Sequence, residues 1–257
     1  MLVHVTDILP LAQAFMWPFL RVVGFVLVAP IFGAAVVPGR TKVIVALALA
    51  LLLAPIVGRP PPIEAFSATF FLTIANQILI GAAIGFVVQL VFDALVIGGE
   101  TIAMTMGLGF ATLVDAQRGA TVPVVSQFML VFGILVFLAI NGHLALIAAL
   151  AESFRWAPVG TDFSAAGSWQ VAQFAGYMFS AGVLIALPAV VALVIVNFGL
   201  GVVSRAAPAL NLFAIGFPVT MLFGFLIVIL SLKLLPERVA DMVQASLAQV
   251  QAVASAR

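Results

Sequence analysis

The sequence predicts an all-α, polytopic integral membrane protein, and two observations carry that prediction. Of 257 residues, 65% are hydrophobic and 7% are charged, with a mean hydropathy of +1.34. Soluble domains carry roughly 25% charged residues. Apolar runs of helical length also follow one another along the chain, and no stretch between them is long enough to form a soluble domain. About six hydrophobic helices are expected in a single membrane domain, with a glycine-rich loop at its centre, a helical hairpin near its C-terminus and an amphipathic tail.

The first apolar run covers Ile8–Val37, with Pro10, Pro18 and Pro30 inside it and Arg21 near its middle. Interior prolines remove helical hydrogen bonds, so a kinked helix is expected. An arginine at mid-membrane costs about 2.5–3.5 kcal/mol on insertion scales, so Arg21 should face protein or water, or snorkel to an interface. The N-terminal MLVHVTDILP has no Lys or Arg ahead of its apolar run and does not read as a cleavable signal peptide. Val43–Val57 is a short run closed by Gly58, Arg59 and Pro60–Pro62. As a helix it reaches about 22 Å, less than a hydrocarbon core of ~30 Å.

Ala68–Phe92 has spanning length and carries a distinctive stripe. Gln77, Gly81, Gly85, Gln89 and Asp93 recur every fourth residue, so they share one helix face. Gly81 and Gly85 form a GxxxG pair, which permits close backbone approach, and the stripe reads as a helix–helix interface. Glu100 extends that face if the helix continues so far.

The stretch Gly98–Pro123, GGETIAMTMGLGFATLVDAQRGATVP, is too apolar for an ordinary surface loop. It is also too rich in glycine and in Glu100, Asp115, Gln117 and Arg118 for a lipid-facing helix. Non-helical backbone at membrane depth persists only where protein buries it or where it lines a water-filled path. The stretch is therefore a candidate pore or gate element, the alternative being a long connection at the membrane surface. Asp115 and Arg118 lie one helical turn apart and could pair, or be solvated separately.

Val124–Ala151 reads as one long apolar helix, interrupted in character by Asn141, Gly142 and His143. Glu152–Trp169 is a polar connection. Ala172–Val203, with Pro188 and Asn197 inside, and Leu212–Leu235 read as a hairpin closed by a turn at Ser204–Pro208, which contains Arg205. In the tail, Val239, Met242, Val243, Leu247, Val250 and Val253 are spaced for one face of an amphipathic helix. The tail's charges are balanced, which favours docking on a partner over attraction to anionic lipid. With six crossings, the Lys and Arg residues divide almost evenly between the two sides, leaving no positive-inside bias.

No catalytic constellation is visible, so an enzyme is not expected. His4 and His143 are the only histidines and have no ligand spacing, and cysteine is absent. Neither a metal nor a cofactor is expected. A net charge of +1 offers no basic surface for nucleic acid. His143 could serve as a proton relay or as a packing histidine paired to a backbone carbonyl. An ion-coupled secondary transporter would also use broken helices and intramembrane charge, but the chain shows no convincing pair of matching halves.

The run Arg21…Gly24…Ala29-Pro30, then Val37-Pro38…Lys42-Val43 and the glycine-rich centre, resembles the FliR/SctT family of type III secretion export-gate subunits. So do Asn141-Gly142-His143, Ser153-Phe154 and Pro158, and the later Ala186-Leu187-Pro188…Gly199…Arg205…Pro208…Leu210-Asn211…Gly216-Phe217-Pro218. The resemblance covers essentially the whole chain, and general similarity favours the flagellar branch. It implies a subunit that assembles with FliP and FliQ homologues into an export channel in the bacterial inner membrane, contacted by an FlhB homologue, through which unfolded substrates pass. It further implies a FliP-like part over 1–171, a FliQ-like hairpin over 172–235 and a tail over 236–257. A plug loop would lie at about 106–122, involving Met106, Gly107, Gly109, Phe110, Asp115, Arg118 and Gly119, with Met104 just before it. Methionine, unbranched and adaptable, suits a deformable seal. Arg21, Glu100, Asn141, His143 and Arg205 stand as the intramembrane polar residues.

Overall fold

A computed structural model describes residues 5–58, 61, 63–109, 123–206 and 212–256. These are helical throughout their ordered elements: α1 (Val5–Val28), α2 (Gly39–Val57), α3 (Ala68–Thr105), α4 (Val124–Ala139), α5 (Gly142–Trp156), α6 (Ala165–Ala206), α7 (Leu212–Ser231) and α8 (Leu235–Ser255). Among the described residues, three helices are long and apolar enough to cross a membrane, or up to five spans if each of two bent helix pairs is one. The protein is thus all-α and polytopic.

Several boundaries differ from the sequence reading, each for a local reason. The first helix stops at Val28, where Ala29–Pro38 folds into a turn with Ile31 at φ 68°. The second helix starts earlier than the apolar run, at Gly39, because Arg40, Thr41 and Lys42 form its first turn. Its 19 residues reach about 28 Å, close to the ~30 Å core, and it is among the helices long and apolar enough to cross. Lys42 Nζ donates to the Gly33 carbonyl at 2.7 Å, tying that turn down. The third helix swallows the beginning of the central stretch, since Gly98, Gly99 and Glu100 are helical and α3 ends only at Thr105. Val124–Ala151 is two helices, not one, broken where Asn141 takes a left-handed conformation at φ 58°. Asparagine tolerates that region better than other side chains. The polar connection after α5 shrinks to 157–164.

The chain divides into two compact units. The first comprises residues 1–90, 141–175 and 243–257. Its core includes Trp17, Phe25, Leu53, Ile84, Leu146 and Val250, and Trp17 meets Phe70 edge-on with ring centroids 5.5 Å apart. Here the tail corrects the expectation of partner docking. The α8 residues Val243, Val250 and Val253 are buried against this chain's own segments: Gln249 Nε2 donates to the Gln170 carbonyl at 3.1 Å, and Ser164 Oγ to the Ala256 carbonyl at 3.0 Å.

The second unit comprises residues 91–140 and 176–242. Phe92 and Phe137 form a T-shaped pair 5.4 Å apart in its core, beside Leu95, Ile102 and Met129. Backbone approach is close here too: a Cβ on Gly99 would lie 2.6 Å from Ser126 Cα, and one on Gly182 would lie 2.9 Å from the Ala94 carbonyl oxygen. Outward, α6 and α7 present large apolar side chains, with Phe198 74% and Leu222 72% exposed.

Candidate functional site

In the first unit, the stripe on α3 faces α1. A Cβ added to Gly81 would overlap the Arg21 carbonyl oxygen and lie 2.9 Å from Phe25 N. One on Gly85 would lie 2.8 Å from Ala29 N and 3.0 Å from the Phe25 carbonyl oxygen. Opposite them Gly24 does the same work for α1, since its Cβ would overlap the Ile78 carbonyl oxygen. Two backbones therefore run in direct contact, which no larger residue permits. Gln77 lies fully buried on the same face, whereas Gln89 and Asp93 are half-buried.

Closing this contact brings Arg21 to full burial, 0% exposed. Its Nε donates to Gln77 Oε1 at 2.9 Å, one terminal nitrogen to Ser153 Oγ at 3.1 Å and the other to the Ala157 carbonyl at 2.7 Å. The guanidinium also stacks on Phe154, 3.9 Å from the ring centroid. Among the described residues no carboxylate pairs with it. Ala157 caps the C-terminus of α5, and unpaired carbonyls there carry the negative end of the helix dipole. A helix end thus supplies the partial negative charge that an acidic side chain would otherwise bring. The fork geometry of arginine lets one cation bind α1, α3 and the end of α5 together. Gln77 Nε2 and the indole N–H of Trp17, one turn before Arg21, are buried without a hydrogen-bond partner.

In the second unit, the root of the central stretch is built from α3 and α7. Gly107, at φ 86°, stops α3. The Leu108 amide donates to the Ala103 carbonyl at 3.0 Å and the Gly107 amide to the Met104 carbonyl at 3.0 Å, the paired bonds of a Schellman cap. Its backbone freedom is used here to end a helix. Met106 is fully buried, whereas Met104 is 51% exposed. A Cβ on Gly224 of α7 would lie 2.5 to 2.7 Å from Met106 Cγ, Sδ and Cε, so the side chain occupies the space glycine leaves. The Thr220 hydroxyl donates to the Met106 carbonyl at 3.2 Å, shared with the Phe217 carbonyl at 3.0 Å. The Phe217 ring sits against Gly107, where a Cβ would meet it at 3.5 Å. Gly109 packs on Met104 Sδ. Phe110, Asp115, Arg118 and Gly119 lie outside the described residues.

Glu100 is exposed on α3, Asn141 is exposed at the α4–α5 break, and Arg205 is exposed in the last turn of α6. His143 is half-buried, with Nδ1 lacking a partner. Among the described residues no group of acidic or histidine side chains could hold a metal. Sequence reasoning quoted Gly24 and Ser153 only for the resemblance, without a role in the site, and missed Ala157, Thr220 and Gly224. Gly24 follows Arg21 by three residues, a spacing that places both on one helix face. Nothing in the sequence around Gly224 marks it as a seat.

The fold and the described polar groups define an α-helical, polytopic membrane protein whose helices are tied together by buried hydrogen bonds. Residues 12–246 match the model of the bacterial export proteins, family 1. The chain is 35% identical over 232 residues to the flagellar biosynthetic protein FliR of Pectobacterium carotovorum, covering 90% of this chain and 88% of that one. It is 37% identical over 212 residues to that of Escherichia coli K12, covering 82% and 80%, and 29% identical over 233 residues to that of Bacillus subtilis, covering 89% and 90%. The chain belongs to the bacterial export proteins, family 1, in its flagellar FliR branch. It is therefore a membrane component of the flagellar export apparatus, from a family with a structural role rather than a known enzymatic one.

Proposed function

We propose that the chain is a subunit of the flagellar export gate in the bacterial inner membrane. It assembles with FliP and FliQ homologues, next to an FlhB homologue, into the channel for unfolded substrates. In this reading residues 1–171 form a FliP-like part, 172–235 a FliQ-like hairpin and 236–257 a tail. The central stretch, about 106–122, obstructs the lumen at rest and is displaced to open it.

The observation that carries the assembly is the uncovered apolar surface of the proposed hairpin. The spanning window of α6 is only 28% buried within the chain, against 67% for α3, and α7 likewise exposes Leu222 and Ile229. Apolar surface of that extent needs lipid or further subunits against it. Native mass spectrometry of the chain in mild detergent, alone and co-expressed with FliP and FliQ homologues, tests the reading. A discrete hetero-oligomer with several copies of both partners is the expected result. A monomer or homodimer unchanged by co-expression would refute it.

A further inference from the structure

We propose that Gly224 of α7 is a positioning residue for the central stretch, and that α7 sets where that stretch begins. The inference rests on the gate reading above and adds to it a device in a different helix. Three contacts from one face of α7 converge on the last residues of α3 and the turn after them. Gly224 makes room for the whole Met106 side chain, Thr220 holds the Met106 carbonyl, and the Phe217 ring braces Gly107. Their positions, 217, 220 and 224, follow the three-and-four spacing of a single helix face. A Schellman cap alone would end α3 but leave the direction of the departing chain to local torsions. The seat adds side-chain packing and a hydrogen bond at Met106, immediately before the chain turns at Gly107. Methionine is suited to such a seat, because its flexible thioether fills an irregular slot and can leave it without rupturing a core. Any tilt or rotation of α7 then moves the root of the stretch with it.

The test uses cells making the complete export apparatus, with K⁺ efflux as the leak readout and membrane content of the chain as the folding control. Gly224→Val fills the slot and ejects the Met106 side chain. Efflux is expected to rise several-fold while the chain still accumulates. Met106→Ala empties the same seat and is expected to raise efflux alike, with the double variant leaking no more than either single one. General damage to α7 would add to the Met106→Ala leak instead. Should the valine variant fail to accumulate, Gly224→Ala is read in its place. Deletion of residues 110–122 serves as the gate control. If that deletion leaks but the Gly224 variant stays sealed, or Met106→Ala stays sealed or adds to its leak, the seat is overturned and the gate reading stands. If the deletion itself stays sealed, the gate reading falls and the seat's role falls with it.

Discussion

Two stretches of one helix are fastened to their neighbours by opposite means. Residues 77–85 of α3 meet α1 through backbone contact at Gly81 and Gly85, closed over by the charge-assisted hydrogen bonds of Arg21. Residues 102–109 are fastened by a methionine in a glycine slot, one hydroxyl and a ring. The first joint is rigid, because its members have no alternative partners once buried, and an orphaned buried donor or acceptor costs about 1–3 kcal/mol. The second is adjustable, since an unbranched thioether side chain adapts its packing to its surroundings. In the proposed gate, where a frame holds while one segment moves, both kinds of joint have a use.

The largest effect should come from breaking the rigid joint. Arg21→Leu strands Gln77 Oε1 and the Ala157 carbonyl in a dry site, for a destabilisation of about 3 kcal/mol. Arg21→Lys retains the charge but loses the fork, and should fall between the leucine variant and wild type. Adding Gln77→Leu to Arg21→Leu removes one of the stranded acceptors and should recover part of the loss. Thermal unfolding of the purified chain in detergent reads all three. A leucine variant that melts with wild type would mean the cluster is incidental.

Gly81→Ala ranks next. Its methyl would run into the Arg21 carbonyl oxygen, a backbone atom that cannot turn away, so overpacking of about 2 kcal/mol is expected. Gly133→Ala is the matched contrast in the second unit, because the atoms its methyl would meet are side-chain carbons of Leu95, which can rotate. The comparison between backbone and side-chain contact fails if the two variants melt alike.

How much of this was legible follows from what each feature depends on. The all-α fold and the membrane class come from composition and apolar run length, which are local properties; the helix count did not follow from them, since about six were expected and the described residues form eight helices with three to five candidate spans. The stripe from Gln77 to Gly85 was legible because four-residue spacing implies one face whatever it meets. Its partner was not, as nothing in the sequence says that Gly24 of α1 lies opposite Ile78. Arg21 was marked by its cost in an apolar run, but its answering charge is a helix end, and backbone carbonyls leave no trace in residue identity. The interruption at Asn141–His143 was visible in the run, but not that it ends one helix and starts another, since only one left-handed residue makes the break. Gly107 was singled out only as part of the plug loop, and its cap on α3 was not legible, because a loop and a positive φ call for the same residue. Gly224 was invisible for a further reason: a seat is defined by a side chain 118 positions away along the chain.

The smallest expected effect sharpens the comparison most, because it concerns glycines that touch nothing. Cβ atoms on Gly176 and Gly199 of α6 would meet no atom within 4 Å. Glycine in a helix interior is less stable than alanine by roughly 0.5–1 kcal/mol. Gly176→Ala and Gly199→Ala should therefore raise the melting temperature of the purified chain slightly, the reverse of Gly81→Ala. Motility of cells carrying the same variants then reports what covers that face in the assembled apparatus. A stabilised chain with unchanged motility would place lipid there, which can move aside for a methyl group. A stabilised chain with lost motility would place another helix there, approaching as closely as α1 approaches Gly81, and this second result is the one a gate subunit should give.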